Sequence, residues 1–224
     1  MAYSKSYGCD ILNEIEERMW AFSDVDWTEL LWDGVSGSTE DAEDAVFRLP
    51  NSDRGRFAVA AYALLAPVLT FRTILNHVWD HDHDELISAV RGRKSTIRAM
   101  MRRAQYDTSD LPDTFTVYRG TTRITHSQAA RGLAWTTSPD VACWFAARYR
   151  MGAEGAPLVI EATAKRSDVV FWHRGRSEDE VVMCRDFMPA ETRIFSAPEA
   201  WERHADALAA KWKAEHEAET QEAA

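Results

Sequence analysis

The chain has 224 residues, 46% hydrophobic and 28% charged, an ordinary globular composition long enough for one large domain or two small ones. Its formal net charge of -10 excludes a general nucleic-acid or membrane-surface binder, although a local basic patch can still serve a phosphate. Three cysteines, Cys9, Cys143 and Cys184, are odd in number and lack metal-ligand spacing, which speaks against a disulfide framework or structural zinc and suits a reducing cytosol. No basic stretch followed by an apolar core opens the chain, so a secretory signal is not expected.

In chain order, Ile11, Ile15, Met19 and Phe22 mark one face of an amphipathic helix beginning near Asp10, with Glu14, Glu16, Glu17 and Arg18 largely off that face. A short helix around Trp27 to Trp32 stops near Gly34. Gly37-Ser38-Thr39 is a loop capping a helix from Glu40 to Leu49, which Pro50 ends. Asp53 to Asp80 predicts a long helix kinked near Pro67, because proline removes an intrahelical hydrogen bond and clashes with the preceding turn. Within it, the apolar run from Phe57 to Leu69 is too short for a bilayer and reads as a buried helix, so no membrane partner is expected.

His77, His81 and His83, set among Asp80, Asp82, Asp84 and Glu85, have two readings: a divalent-cation site, or a solvated junction that caps the next helix. The second is favoured, and no metal is expected. Arg91, Arg93, Lys94, Arg98, Arg102 and Arg103 alternate with Ile97, Met100 and Met101, as on an amphipathic helix with a charged outer face. In so acidic a chain that face can also attract a phosphate-bearing ligand or an acidic partner.

At Leu111-Pro112-Asp113 the texture changes from helical to β-rich, which predicts a helical N-terminal subdomain over 1–110 and a β-rich domain with a C-terminal helix over 111–224. Strands are expected at Thr114 to Gly120, just before Thr136, and at Leu158 to Ala164, Asp168 to Trp172, Glu180 to Cys184 and Thr192 to Phe195. Thr121 to Arg131 reads as a polar loop. From Pro198 a final helix carries Trp201, Ala205, Leu208 and Trp212 along one side and fades into an Ala/Glu-rich end. Many short strands with one embedded helix define an α+β class.

The stretch from Gly132 to Tyr149 organises this half. A short strand ends in Thr136-Thr137-Ser138 and a helix follows at once: Ser138 is the N-cap, Pro139 the first helical residue, and Asp140 suits the positive end of the dipole. Hydroxyls are thereby held at a rigid strand-to-helix corner. Tyr118-Arg119-Gly120 precedes this corner at a strand end, and Glu178-Asp179-Glu180-Val181-Val182 follows it, leading into another strand.

In that order and context, the three signatures resemble the arginine, Ser-Thr-Ser and Glu-x-Glu motifs of ADP-ribosyltransferases of the arginine/serine/glutamate class, across roughly Phe115 to Phe195. The resemblance implies a split β-sandwich of short strands preceded by a helical region. It also implies NAD as the substrate, release of nicotinamide and transfer of ADP-ribose to a macromolecule. Small proteins of this kind occur among bacterial toxins and bacteriophage products, which implies the cytoplasm of the producing or infected bacterial cell.

Carried over residue by residue, Arg119 and Gly120 would meet the dinucleotide, with the arginine's planar fork holding phosphate or ribose hydroxyls. Thr136 stands where the family has its first serine and would steady the nicotinamide ribose and the catalytic glutamate. Trp135, Thr137, Ser138 and Phe145 complete the cofactor-binding set. Glu180 would stabilise the oxocarbenium-like ribose, and Glu178 would position or deprotonate the acceptor.

This chain departs from the family pattern in carrying Thr136 for serine, which keeps the hydroxyl and adds a methyl. Before the Glu-x-Glu signature, Phe171 and Trp172 can stack on nicotinamide or on a target side chain, while Arg174 and Arg176 would repel an arginine acceptor unless acidic groups surround it. An arginine of a partner protein is the family's common acceptor; Arg174 and Arg176 suit an acidic protein surface or a nucleic-acid phosphate equally well, so a nucleic acid or a protein associated with one is the alternative acceptor. Hydrolysis of NAD, and a non-catalytic partner-binding role on the same scaffold, are the competing functions.

Overall fold

The computed structural model describes residues 27–122, 124–148, 157–173, 179–184, 187, 189, 192–195 and 198–222. The helix expected from Asp10 to Phe22 lies outside them, as do Cys9, Arg174, Arg176 and Glu178. The chain divides into two compact units, Met1–Tyr106 and Asp107–Ala224, so that the division falls just ahead of the expected 110/111 boundary. None of the described helices is long and apolar enough to cross a membrane.

The first unit is helical where described: α1 (Trp27–Ser36), α2 (Thr39–Arg48), α3 (Asn51–Ala63), α4 (Val68–Ala89) and α5 (Lys94–Ala104). Ser38 begins α2 with a reciprocal cap, its hydroxyl accepting the Asp41 N–H at 3.2 Å while the Asp41 carboxylate accepts the Ser38 N–H at 2.7 Å. That bond from the Ser38 backbone, helped by its hydroxyl, holds the Asp41 carboxyl below its ordinary pKa.

The long helix expected around Pro67 is broken outright and not merely kinked. Leu65 takes a left-handed conformation (φ 61°), the Ala66 N–H bonds the Ala61 carbonyl and the Leu65 N–H bonds the Tyr62 carbonyl, a Schellman ending for α3. Pro67 then caps the start of α4. Proline thus lies between two helices, where its missing N–H costs nothing, rather than inside one.

Helices α3 and α4 approach closely at Gly55, where a Cβ would lie 2.3 Å from the Glu85 carbonyl. The His/Asp run lies on α4. Asp82 is buried, locally non-helical (φ -134°, ψ 34°), and paired with Arg54 at 3.0 Å, while His77 stacks on His81 with ring centroids 4.6 Å apart. Among the described residues no group of three or more His, Cys, Asp or Glu could hold a metal ion. On α5, Ile97, Met100 and Met101 are buried beneath the basic outer face.

The second unit contains β1 (Thr114–Thr122), α6 (His126–Ala130), β2 (Ala134–Thr136), α7 (Pro139–Arg148), β3 (Pro157–Lys165), β4 (Val169–His173), β5 (Glu180–Met183), β6 (Thr192–Ile194) and α8 (Pro198–Glu222). The α+β class holds. All six strands lie in one antiparallel sheet of order β4-β5-β2-β1-β3-β6. Helix α6 lies inside the expected polar loop; Thr125 and Gln128 close a capping box around its first turn, and that Thr-x-x-Gln spacing is its signal in the sequence.

Period-two alternation gives the sheet two cores. Val117, Trp135, Ile160, Ala162, Val181 and Met183 fill one face, with Leu111, Ala129 and Phe187 among the residues packed there. On the other, Val159 meets Ala142, Cys143 and Ala146 of α7 and Trp201 of α8, with Tyr118 and Phe195 against them. Trp201, Ala205 and Leu208 are buried, the face expected of the last helix, and Trp212 is partly buried beside Trp144.

Candidate active site

The strand-to-helix corner is fixed by its own hydroxyls. Thr136 Oγ1 accepts the Ser138 N–H at 3.0 Å, and Ser138 Oγ accepts the Val141 N–H at 3.4 Å, the bond expected of a helix cap. The Thr137 N–H donates to the Asp179 carbonyl at 3.1 Å, tying the corner to the turn before β5. Asp179 itself takes a left-handed conformation (φ 44°), a region where aspartate is among the better-tolerated residues and where held strain accompanies functional sites.

Pairing across the sheet joins signatures that are far apart in sequence. Thr136 on β2 lies opposite both Tyr118 on β1 and Glu180 on β5. The same row continues to His173 on β4 in one direction and to Glu161 and Arg193 in the other. One polar or charged residue from each of the six strands therefore stands in a single line across the sheet. Thr136 is buried at 5% exposure, whereas Tyr118, Glu161, Glu180 and His173 are partly exposed. Helix α7 packs over β1, β2 and β3, covering the middle of this line.

Arg119 follows Tyr118 and so leaves β1 toward the opposite face, opposite Ile160. Its guanidinium turns back along β2: Nη1 donates to the Ala134 carbonyl, and the group lies against Gly132, where an added Cβ would sit 2.2 Å from Nε. Nε is shut from solvent with no hydrogen-bond partner among the described residues. Burial pushes the Arg119 pKa down and the Glu180 carboxylate pushes it back up, so the two charges sense one another.

The other expected site residues that are described, Gly120, Trp135, Phe145, Phe171 and Trp172, serve packing. Gly120 lies beneath α7, with room for no side chain: a Cβ would fall 1.7 Å from the Ala142 carbonyl oxygen. Trp135 is buried at 2% exposure, edge-on to Phe187, with its Nε1 donating to the Gly132 carbonyl at 3.4 Å. Phe145 meets Trp144 edge-on at 5.0 Å, and Trp144 in turn meets Trp212 of α8. Phe171 is completely buried and is not presented for stacking on a ligand, while Trp172 is partly buried against the core around Trp135.

Sequence alone assigned no role to His173, Glu161 or Gly132. Gly132 follows a short helix like any C-terminal glycine, and only its contact with Arg119 separates it from that reading. His173 and Glu161 emerge through strand register, which no local pattern encodes. Comparison of the chain with protein-family models, characterised proteins and solved structures finds no match. Fold and site together define an α+β protein with a polar line drawn across one antiparallel sheet.

Proposed function

We propose that the protein is a mono-ADP-ribosyltransferase that cleaves NAD at the nicotinamide-ribose bond and passes ADP-ribose to a macromolecular acceptor, most readily an arginine of a partner protein. The observation that supports this best is the alignment of Thr136 opposite Glu180, with Arg119 on the next strand and its charge coupled to Glu180. Arg119, Thr136 and Glu180, far apart in sequence, lie on three adjacent strands, β1, β2 and β5, with Arg119 leaving β1 toward the face opposite the other two. The transferase-type split β-sandwich, and a bacterial or bacteriophage origin acting in the cytoplasm, belong to the same proposal.

The chemistry follows from charge. As nicotinamide leaves, its bonding electron pair goes with it and positive charge grows on the ribose. A carboxylate fixed in a partly desolvated site stabilises that charge more than it stabilises neutral ground-state groups. Glu180 supplies the carboxylate, Thr136 a buried hydroxyl beside it, and Arg119 a permanent cation for the pyrophosphate or ribose hydroxyls. Glu178 has the acceptor-activating role in this proposal, and Arg174 and Arg176 give an acidic protein surface or a nucleic acid as the second acceptor class.

Incubating the protein with labelled NAD and a bacterial lysate tests this. Nicotinamide should appear together with labelled macromolecule. Glu180→Ala should lower turnover by about 100-fold or more at unchanged folding, and Arg119→Ala should abolish the thermal stabilisation given by NAD. Release of nicotinamide with no labelled macromolecule would make the protein an NAD glycohydrolase. NAD consumption indifferent to both substitutions would remove the site assignment.

A further inference from the structure

The pairing of β4 with β5 is irregular, and the irregularity selects which side chain stands beside Glu180. Val169 lies opposite Met183, so a regular antiparallel ladder would place Phe171 opposite Val181 and Trp172 opposite Glu180. Between Val169 and Phe171 the register shifts by one residue. Phe171 then lies opposite Val182, Trp172 opposite Val181 and His173 opposite Glu180. A bulge of this kind exchanges the faces of every residue beyond it, and bulges beside active sites commonly re-aim a side chain. Here the shift sends Trp172 to the Trp135 core and brings an imidazole to the carboxylate.

The imidazole is held where the register puts it. Its ring stacks on Phe171 with centroids 5.6 Å apart and planes 26° from parallel, and Phe171 has no exposed surface. Nε2 of His173 is shut away from solvent while the residue as a whole stays partly exposed. Directly opposed residues of an antiparallel pair have Cβ atoms about 4.5–5.5 Å apart, close enough for an imidazole and a carboxylate to influence each other's charge. Glu180 is thus flanked by Thr136 on β2 and by His173 on β4.

We infer that His173 is a positioning residue for Glu180 and makes the site responsive to pH. Neutral, the ring orients the carboxylate from the β4 side and leaves its negative charge available to a cationic ribose. Protonated, it pairs with the carboxylate and draws on that same charge. The catalytic consequence rests on the transferase proposal, whereas the pairing stands without it. Among the described residues, the titratable groups on the neighbouring elements are Asp179 before β5, Cys184 after it, Asp168 before β4, Tyr118 and Arg119 on β1, Glu161 and Lys165 on β3, and Asp140, Cys143 and Arg148 on α7. Of these, Arg119 has its pKa pushed down by burial and back up by the Glu180 carboxylate.

Two measurements decide the matter. The first is an NMR titration of the His173 ring, assigned with His173→Gln, in the wild type and in Glu180→Gln. Loss of the carboxylate should lower the His173 pKa by about one unit; an unchanged titration overturns the pairing. Glu180→Ala gives the same comparison where glutamine disturbs packing. The second is the pH profile of nicotinamide release, which should lose activity on the acid side through the imidazole range, about pH 6.5, in the wild type and not in His173→Gln. An acid limb that survives in His173→Gln overturns the positioning role. A shifted titration in a protein that releases no nicotinamide upholds the pairing and removes the transferase proposal instead.

Discussion

Gly132 and Arg119 show how one absent side chain can set a functional group. The guanidinium occupies the space a Cβ would need, and it is the end of a flexible side chain, so Gly132→Ala should leave the fold intact and move Arg119. On the proposed function, losing the Arg119 contact with NAD should weaken binding roughly tenfold or more, read as a smaller thermal shift on adding NAD. An unchanged shift would take Arg119 out of NAD binding. The two corner hydroxyls also separate. Ser138→Ala should cost about 1 kcal/mol through the lost cap and leave nicotinamide release nearly intact. Thr136→Val keeps the shape but strands the Ser138 N–H, costing about 1–3 kcal/mol and lowering turnover, while Thr136→Ser restores both. Denaturation curves beside release assays separate these effects, and the opposite pattern would exchange the two roles.

At the scale of elements, close approach and chain reversal set the strongest constraints. Gly120→Ala would drive a Cβ into the Ala142 backbone, so α7 has to lift from β1. A loss of about 3 kcal/mol is expected, measured by urea denaturation, and a near-neutral result would mean that α7 sits further from the sheet. The Schellman turn after α3 points the other way. Leu65 holds a left-handed backbone with its side chain 67% exposed, so Leu65→Gly relieves strain and gives up little burial. That substitution should raise stability by up to about 1 kcal/mol, seen as a higher thermal midpoint.

For the molecule as a whole, Cys143 links stability to pH. It is completely buried on α7, and burial, with the Asp140 carboxylate adding to it, pushes its thiol up to about 12. In the unfolded chain the thiol ionises near pH 9, whereas the folded chain keeps its proton, so the unfolded state binds fewer protons between pH 9 and 12 and stability falls as pH rises. Well below pH 9 the group is neutral in both states and contributes no slope. By pH 10 the loss should reach about 1.4 kcal/mol, and Cys143→Ala should remove that component from the denaturation curves. A wild-type slope that persists in Cys143→Ala would assign the effect elsewhere.

Sequence by itself determined the order of the signatures and most of the elements, α6 and the break at Pro67 excepted. Helical spacing on α5 and α8, alternation in β1 and β3, and the Ser138-Pro139-Asp140 start of α7 are local, since each depends on backbone propensity and on which side chains recur within a few residues. Pro67 marked a disruption whose extent was not local, because the choice between a kink and a full break depends on whether neighbouring helices support the turn. Strand register was beyond the sequence altogether. A one-residue shift changes no propensity yet moves Trp172 into the core and His173 beside Glu180. The same holds for Arg119, which alternation sends to the face opposite Thr136 and whose guanidinium lies along β2 in the space that Gly132 leaves. The tertiary structure decided these placements because packing on both faces of the sheet, and not the chain's local preferences, sets which residues stand side by side.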